Sequence, residues 1–224
     1  MSVIIKPSEI ERSSMGIIET ELEERGIALP PEHAAVVKRV IHTTADFDYA
    51  DNLTFTADAV GKGSAALAKG ASIITDTNMA KAGVSKPALS RLGGGVFCYM
   101  ADPDVAATAK EAGTTRAVMA MRHAAELHPD AVYAVGNAPT ALLQLSELIR
   151  GGFRPVLIIG VPVGFVNVVE SKEELLATCE EFGVPAIVAL GRKGGSNVAA
   201  AICNALLYAA ADLQDPEDRN WKTN

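Results

Sequence analysis

Short apolar runs that alternate with helical patterns constrain the fold of this chain more than any other feature. Strands that are apolar on both faces are typical of a parallel sheet covered by helices on both sides. No linker, repeat or low-complexity segment divides the 224 residues. The sequence therefore predicts one α/β domain over residues 1–224, with a mostly parallel sheet, helices on both faces and a polar, frayed tail over about 212–224. The five predicted strands are 71–75, 95–99, 131–135, 155–159 and 185–189.

Recognisable signals mark the starts of the helices. Two capping boxes, Ser8–Glu11 and Ser171–Glu174, each predict the first turn of a helix. Asn137 is predicted to cap a third helix, and Ser196 to open a fourth that reaches about residue 210. Each of the last three signals follows a predicted strand or a turn, as an alternating α/β chain requires.

Composition excludes several classes of protein. Apolar residues make up 49% and charged residues 21% of the chain, which is enough for a substantial core. The formal charge of −7 argues against nucleic-acid binding, which needs a basic surface. No apolar segment reaches the length of about 18 residues that a membrane span needs, and no secretory signal is recognised. Three widely spaced cysteines, Cys98, Cys179 and Cys203, indicate reduced thiols in a cytoplasmic protein.

A ligand site is expected beyond the carboxyl ends of the strands, where parallel α/β sheets bind their ligands. Small residues in the turns there let a ligand approach the backbone closely. Backbone amides and Arg192 suit a carboxylate or a phosphate, although a glycine turn with solvated charges is an equally ordinary explanation. The four turns are Thr75–Asn78, Gly136–Asn137, Gly160–Gly164 and Gly191–Ser196.

His42 is the strongest candidate for proton transfer. It ends a helical pattern that begins at Pro30–Pro31 and opens an acidic loop. Histidine titrates near neutral pH, which suits proton transfer in the cell. The alternative is that His42 only interacts with the carbonyls at the end of its helix. Arg116 is a second candidate, because an arginine at a helix start conflicts with the helix dipole and a bound anion removes that conflict; an ordinary salt bridge is its alternative.

Other motifs do not support the chemistry that they resemble. Gly61-Lys-Gly63-Ser-Ala-Ala66 matches a dinucleotide fingerprint but lacks the strand–turn–helix setting. His123 and His128 are five residues apart and do not share a helix face, so no metal site is predicted. No Gly-x-Ser-x-Gly elbow is present, and a serine nucleophile is unsupported.

Several stretches occur together in a specific order, and together they resemble the precorrin-8X methylmutase family, also called cobalt-precorrin-8 methylmutase. One departure is Met15, where the family pattern leads us to expect phenylalanine. The most specific match is the pair Gly136-Asn-Ala-Pro-Thr-Ala-Leu142 and Gly160-Val-Pro-Val-Gly-Phe-Val166. The remaining matches are Ile10-Glu11, Ser14-Met-Gly-Ile-Ile18, Arg39-Val-Ile-His42, Asp76-Thr-Asn-Met79, Thr115-Arg116, Glu170-Ser-Lys172 and Gly191-Arg-Lys-Gly-Gly-Ser196.

The resemblance implies an isomerase of cobalamin biosynthesis without a cofactor or a bound metal. Such an enzyme moves a methyl group from carbon 11 to carbon 12 of a tetrapyrrole, precorrin-8X or cobalt-precorrin-8, and gives hydrogenobyrinate or cobyrinate. The expected partners are this tetrapyrrole and a second copy in a homodimer, with no nucleic acid and no membrane. His42 is expected to be the catalytic proton donor and acceptor, with Asp46 orienting it. The expected substrate-binding residues are Ser14, Arg39, Thr77, Asn78, Arg116, Asn137, Thr140, Arg192 and Ser196.

Two other functions remain open from the sequence alone. A corrinoid-binding protein without turnover needs the same anion-binding turns. A phosphate- or nucleotide-dependent α/β enzyme would use the turn at Gly191–Ser196. Whether the natural substrate carries cobalt is not encoded in any residue that we recognise.

Overall fold

One sheet of six short strands lies at the centre of the fold. The computed structural model describes residues 6–219. The strands are β1 Leu53–Phe55, β2 Ile73–Thr75, β3 Val96–Phe97, β4 Val132–Val135, β5 Leu157–Gly160 and β6 Ala186–Ala189. Their order across the sheet is β1-β6-β5-β4-β2-β3. All neighbouring strands are parallel except β1, which runs antiparallel to β6. The prediction of a single α/β domain with a mostly parallel sheet is confirmed.

Helices cover both faces of this sheet. Those whose apolar side chains pack on one face are α1 Pro7–Glu24, α2 Pro31–Thr44, α3 Tyr49–Asn52, α4 Ala59–Ala68, α5 Asn78–Gly83, α6 Lys86–Arg91 and α11 Ser196–Ala210. Those on the other face are α7 Pro103–Glu111, α8 Arg116–Leu127, α9 Pro139–Arg150 and α10 Val168–Phe182. Within the described part of the chain, no helix is long and apolar enough to cross a membrane.

Side chains along the central strands point alternately to the two faces of the sheet, which gives the fold two hydrophobic cores. Val132 and Ala134 of β4 point into the core on one face, whereas Tyr133 and Val135 point into the other. All four residues are buried, as expected for a strand covered on both sides. The apolar runs in the sequence have this burial as their physical cause.

The antiparallel edge strand β1 is absent from the sequence prediction. Leu53–Phe55 contains the polar Thr54 and is only three residues long, so it forms no recognisable apolar run. Its position is set by pairing with β6, in which Leu53 lies opposite Ala189. Such pairing depends on a partner far along the chain.

The predicted helix caps are wrong in three places. Ser8 does not cap α1, which already begins one residue earlier, and Ser8 is buried inside the helix. Ser171 lies within α10, and its Oγ donates to the carbonyl of Val168 at 3.0 Å. Asn137 does not cap α9 with its side chain; the carboxylate of Asp76 binds the amides there instead.

The predicted frayed tail is wrong for residues 212–219; residues 220–224 lie outside the described range. Pro216–Arg219 form a 3₁₀ turn, and Arg219 donates to a carboxylate oxygen of Glu11 at 2.5 Å. Arg219 also donates to the carbonyl of Leu213 at 2.7 Å. A buried ion pair therefore holds this part of the tail against α1.

Candidate active site

The turns after β5 and β6 are joined into one edge at the carboxyl ends of the strands. The amide of Gly195 donates to the carbonyl of Val161 at 2.8 Å, and the amide of Gly164 donates to that of Arg192 at 3.2 Å. A guanidinium from the same turn, that of Arg192, lies 5.5 Å from the ring centre of Phe165. We call these turns, together with those after β2 and β4, the rim (residues 76–78, 136–138, 161–167 and 190–196).

The carboxylate of Asp76 binds the turn that follows β4. Its buried carboxylate accepts hydrogen bonds from the amides of Gly136, Asn137 and Ala138 at 2.8, 2.8 and 2.7 Å. Burial raises the pKa of Asp76, and the three amide donors oppose that rise. The carboxylate thereby fixes the chain where it enters α9.

Three of the predicted substrate-binding residues come together where α5, α9 and α11 begin. The hydroxyls of Thr77 and Ser196 are 2.7 Å apart, and Thr77 also caps α5 by accepting from the amide of Ala80 at 3.0 Å. Gly136 packs directly on the start of α11, where a Cβ would lie 2.7 Å from the Cα of Ser196. The third residue, Asn137, follows Gly136, and the predicted Asn78 is the exposed first residue of α5.

Arg116 and Thr140 lie together at the starts of α8 and α9. Thr115 caps α8 by accepting from the amide of Val118 at 3.3 Å, and its hydroxyl lies 3.1 Å from that of Thr140. Arg116 is the exposed first residue of α8. Within residues 6–219 no carboxylate lies within ion-pair distance of Arg116. Arg116, which has no ion-pair partner among the described residues, thus lies beside the start of α9.

The glycine turn at 191–195 is held from two sides by lysines. The buried Lys172 donates to the carbonyls of Gly191 and Lys193, both at 2.8 Å. The side chain of Lys193 extends in another direction and donates to Asp46 at 2.6 Å and to Asp48 at 2.5 Å. These last contacts attach the turn to the loop that follows α2.

His42 lies in the last turn of α2 with its side chain exposed. Burial of part of the ring and the nearby Arg39 lower the pKa of His42. The expectation that Asp46 orients His42 is wrong: the Asp46 carboxylate binds Lys193 and accepts from the amide of Asp48 at 3.1 Å. In the described part of the chain, the imidazole has no hydrogen-bond partner of its own, so it remains available to a ligand.

Ser14 and Arg39, two further predicted substrate-binding residues, lie on α1 and α2. Arg39 is bound to Glu11 at 2.6 Å and lies 5.3 Å from the ring centre of Tyr208. The hydroxyl of Ser14 donates to the carbonyl of Ile10 at 2.8 Å. No hydrogen bond or ion pair within residues 6–219 joins either side chain to the rim. Arg39 therefore already has a carboxylate partner, unlike Arg116.

The residues that sequence reasoning missed are Asp76, Lys172 and Lys193 as organisers of the rim. A signal for Lys172 was present, because Val168, Lys172 and Leu175 share one buried helical stripe. The predicted capping box at Ser171–Glu174 started the helix too late to include Val168 in this stripe.

The glycine and histidine motifs for which no chemistry was predicted have structural roles. Gly61 and Gly63 lie inside α4, which is no setting for a dinucleotide turn. His128 is bound to the hydroxyl of Tyr99 at 2.6 Å and stacks on Phe97. The described residues contain no group of three or more His, Cys, Asp or Glu side chains that could hold a metal ion.

Known proteins resemble the chain over nearly its whole length. The family model described as precorrin-8X methylmutase matches residues 9–209. The cobalt-precorrin-8 methylmutase of Salmonella typhimurium is 47% identical over 217 residues, which cover 93% of this chain and 98% of the relative. The precorrin-8X methylmutase of Pseudomonas aeruginosa is 43% identical over 201 residues, covering 88% and 93%.

A solved structure has the same fold. The precorrin-8X methylmutase of Thermus thermophilus matches with a TM-score of 0.82 at 41% identity, over 91% of this chain and 98% of that one. The resemblance that the rim motifs carry is therefore matched by whole-chain similarity in sequence and in structure. This chain belongs to the precorrin-8X methylmutase family, whose members are isomerases that transfer a methyl group within one molecule.

Proposed function

We propose that this chain moves a methyl group from carbon 11 to carbon 12 of precorrin-8X or cobalt-precorrin-8, with His42 as the proton donor and acceptor. Substrate and product are isomers, so the proton that His42 lends to the conjugated ring returns to it. No methyl donor, oxidant or reductant is consumed. The rest of the site holds the macrocycle in a reactive geometry.

The observation that carries this proposal is the contact between Lys193 and Asp46 at 2.6 Å. Lys193 belongs to the glycine turn of the rim, and Asp46 follows His42 by four residues. The contact therefore attaches the loop that follows His42 to the rim. We infer that one ligand of macrocycle size spans the rim and His42.

The charges of the rim fit a carboxylate-rich tetrapyrrole. The net charge of the chain is −7, yet Arg116 and Arg192 have no carboxylate within ion-pair distance among residues 6–219. The start of α11 adds amide donors and the positive end of a helix dipole, whereas the amides of residues 136–138 before α9 already bind Asp76. Thr77, Asn78, Asn137, Thr140 and Ser196 supply short polar side chains on the same edge, and Ser14, Arg39 and Arg192 complete the proposed substrate-binding set.

We also propose that the chain works as a homodimer in the cytoplasm. The exposed apolar side chains support a self-association surface: Phe165 is 83% exposed, and Ile17 on α1 is also exposed. Three buried cysteines without a disulfide fit a reducing compartment. Sedimentation velocity tests the dimer, and a species of monomer mass at micromolar concentration contradicts it.

The alternatives have less support. A phosphate- or nucleotide-dependent enzyme would use the turn at Gly191–Ser196, but the chain belongs to a family of methylmutases, and the separate glycine fingerprint lies within α4. A corrinoid-binding protein without turnover shares the rim but needs no exposed imidazole beside it. Turnover itself separates the two.

The test is conversion of precorrin-8X, followed by the visible spectrum of the product. His42→Ala is expected to fold normally and to lose kcat by about 10²- to 10⁴-fold, which is the usual contribution of a positioned acid or base. Arg116→Ala is expected to raise KM instead, and more so at low salt. His33→Ala, which removes another histidine of α2, is the matched control and should retain activity. Turnover near wild type in His42→Ala would remove His42 from the mechanism.

A further inference from the structure

Lys172 is a buried cation that the reaction described above does not use. It is 0% exposed and lies in the core-facing stripe of α10. Its Nζ donates to two carbonyls of the glycine turn, and no carboxylate lies within ion-pair distance of it among the described residues. A buried ammonium without a counter-charge is unfavourable for folding. Packing alone does not explain a lysine at this position.

The two carbonyls that Lys172 binds determine where the turn directs its amides. The carbonyl of Gly191 and the amide of Arg192 belong to one planar trans peptide, in which C=O and N–H point in opposite directions. The same holds for the carbonyl of Lys193 and the amide of Gly194. Since both carbonyls point towards Lys172 at 2.8 Å, both amides point away from it. Within residues 6–219, neither of these amides donates to a protein acceptor.

We propose that Lys172 is a positioning residue for substrate binding: its buried ammonium turns the Arg192 and Gly194 amides towards a substrate carboxylate and places a positive charge beneath them. This inference rests on the proposed function and deepens it. Two amides and a cation on one side of a carboxylate form a site for one of the acidic side chains of the tetrapyrrole. The bound carboxylate is then the counter-charge that Lys172 lacks in the free chain.

Burial changes the pH range in which Lys172 carries its charge. Burial lowers the pKa of Lys172 to about 8, and no charged side chain contributes to that shift. The turn that Lys172 binds also carries the charge of Lys193, whose pKa is raised by Asp46 and Asp48, and Lys193 in turn lowers the pKa of Asp46. On α10 itself, burial raises the pKa of Cys179 to about 12. On α9 and α10, Arg150 and Glu174 form a solvent-exposed ion pair with each other.

Ligand affinity is therefore expected to depend on the Lys172 proton. As pH rises above about 8, the free chain loses this proton, whereas the complex with a polycarboxylate retains it. Proton linkage then weakens binding by up to about tenfold per pH unit. A lysine that only filled space would give no such slope.

The experiment compares wild type with Lys172→Met, which keeps the length of the side chain and removes its charge and donors. Binding of hydrogenobyrinate is followed by its visible spectrum between pH 7 and pH 10. We expect the variant to bind about tenfold more weakly at pH 7, with a flat profile above pH 8 where wild-type affinity falls. Lys110→Met, in the exposed last turn of α7, is the control for loss of one positive charge and should behave as wild type. Equal affinities and equal slopes in wild type and Lys172→Met would overturn the inference.

A second measurement needs no substrate. In the amide NMR spectrum of the ligand-free protein, Lys172→Met should shift the resonances of Arg192 and Gly194, and an unchanged turn contradicts positioning. Should Lys172→Met fail to fold, the wild-type pH profile decides, because the absence of a slope above pH 8 also contradicts the inference. Failure of the wild type to convert precorrin-8X would count against the proposed function, whereas an unaltered turn in the variant counts against Lys172 alone.

Discussion

Gly136→Ala tests the close contact on which the rim is built. A Cβ at this position would lie 2.7 Å from the Cα of Ser196 and 2.8 Å from the carbonyl oxygen of Gly195. Both neighbours are backbone atoms, and Cβ contacts under 3.0 Å are essentially absent from real proteins. The end of β4 and the start of α11 must therefore separate by a few tenths of an ångström. Overpacking of this kind destabilises a protein by about 1–3 kcal/mol.

Urea and thermal unfolding measure the stability change. For a chain of this size each kcal/mol lowers Tm by about 2–4 °C, so we expect a decrease of roughly 2 to 12 °C. The movement also separates Asn137 from Ser196, so kcat/KM for precorrin-8X should fall. Gly16→Ala is the matched control: this glycine lies in α1 with nothing within 4 Å of its added Cβ, and the substitution should stabilise the helix by about 0.5–1 kcal/mol. Wild-type stability and activity in Gly136→Ala would refute the tight junction.

Two further substitutions separate stability from function. Lys193→Met removes the ion pairs to Asp46 and Asp48, and because this lysine is 42% exposed, the midpoint of urea unfolding should change little. kcat/KM should nevertheless fall, because the end of α2 is no longer attached to the rim; an unchanged kcat/KM contradicts that link. Glu11→Gln leaves the guanidinium of Arg219 without its buried carboxylate, which should cost about 3 kcal/mol or more at pH 7. Burial alone would raise the pKa of Glu11, but the hydrogen bonds and charges of Arg219 and Arg39 outweigh burial, so the pKa is lowered overall. The extra stability of wild type over Glu11→Gln is therefore present above about pH 4.5 and is lost as pH falls through the lowered pKa. Urea unfolding across that range checks it, and a pH-independent difference between the two proteins refutes it.

The strands could be predicted from sequence because burial on both faces requires an apolar side chain at nearly every position. Tyr133 and Val135 enter one core while Val132 and Ala134 enter the other, so no polar position interrupts β4. The predicted strand starts were early by one or two residues, since apolar character extends beyond the paired segment. The run at 155–159, for example, became β5 at Leu157–Gly160.

The contacts that arrange the site could not be predicted, because they depend on residues far apart in the chain. Asp46 is four residues from His42, and local spacing suggested that pair. Its actual partner, Lys193, lies 147 residues away. Likewise Asp76 caps α9 from 61 residues before Asn137, which the sequence pattern favoured as a cap. A single sequence contains no local pattern that predicts an ion pair between a lysine and a carboxylate so far apart.

The pKa of His42 constrains how it can act in the proposed mechanism. Burial and, to a smaller extent, Arg39 lower that pKa in the free chain, which favours the neutral ring, and a neutral imidazole is a much weaker acid than the imidazolium ion. A carboxylate-rich macrocycle bound beside α2 brings negative charge to the imidazole, and nearby negative charge raises a histidine pKa. Binding then favours the protonated ring, which becomes an acid only when the substrate is in place. Burial is the main cause of the lowered pKa and Arg39 adds to it, whereas Glu11, which pairs with Arg39 at 2.6 Å, opposes it; a bound carboxylate would act on the ring in the same direction as Glu11.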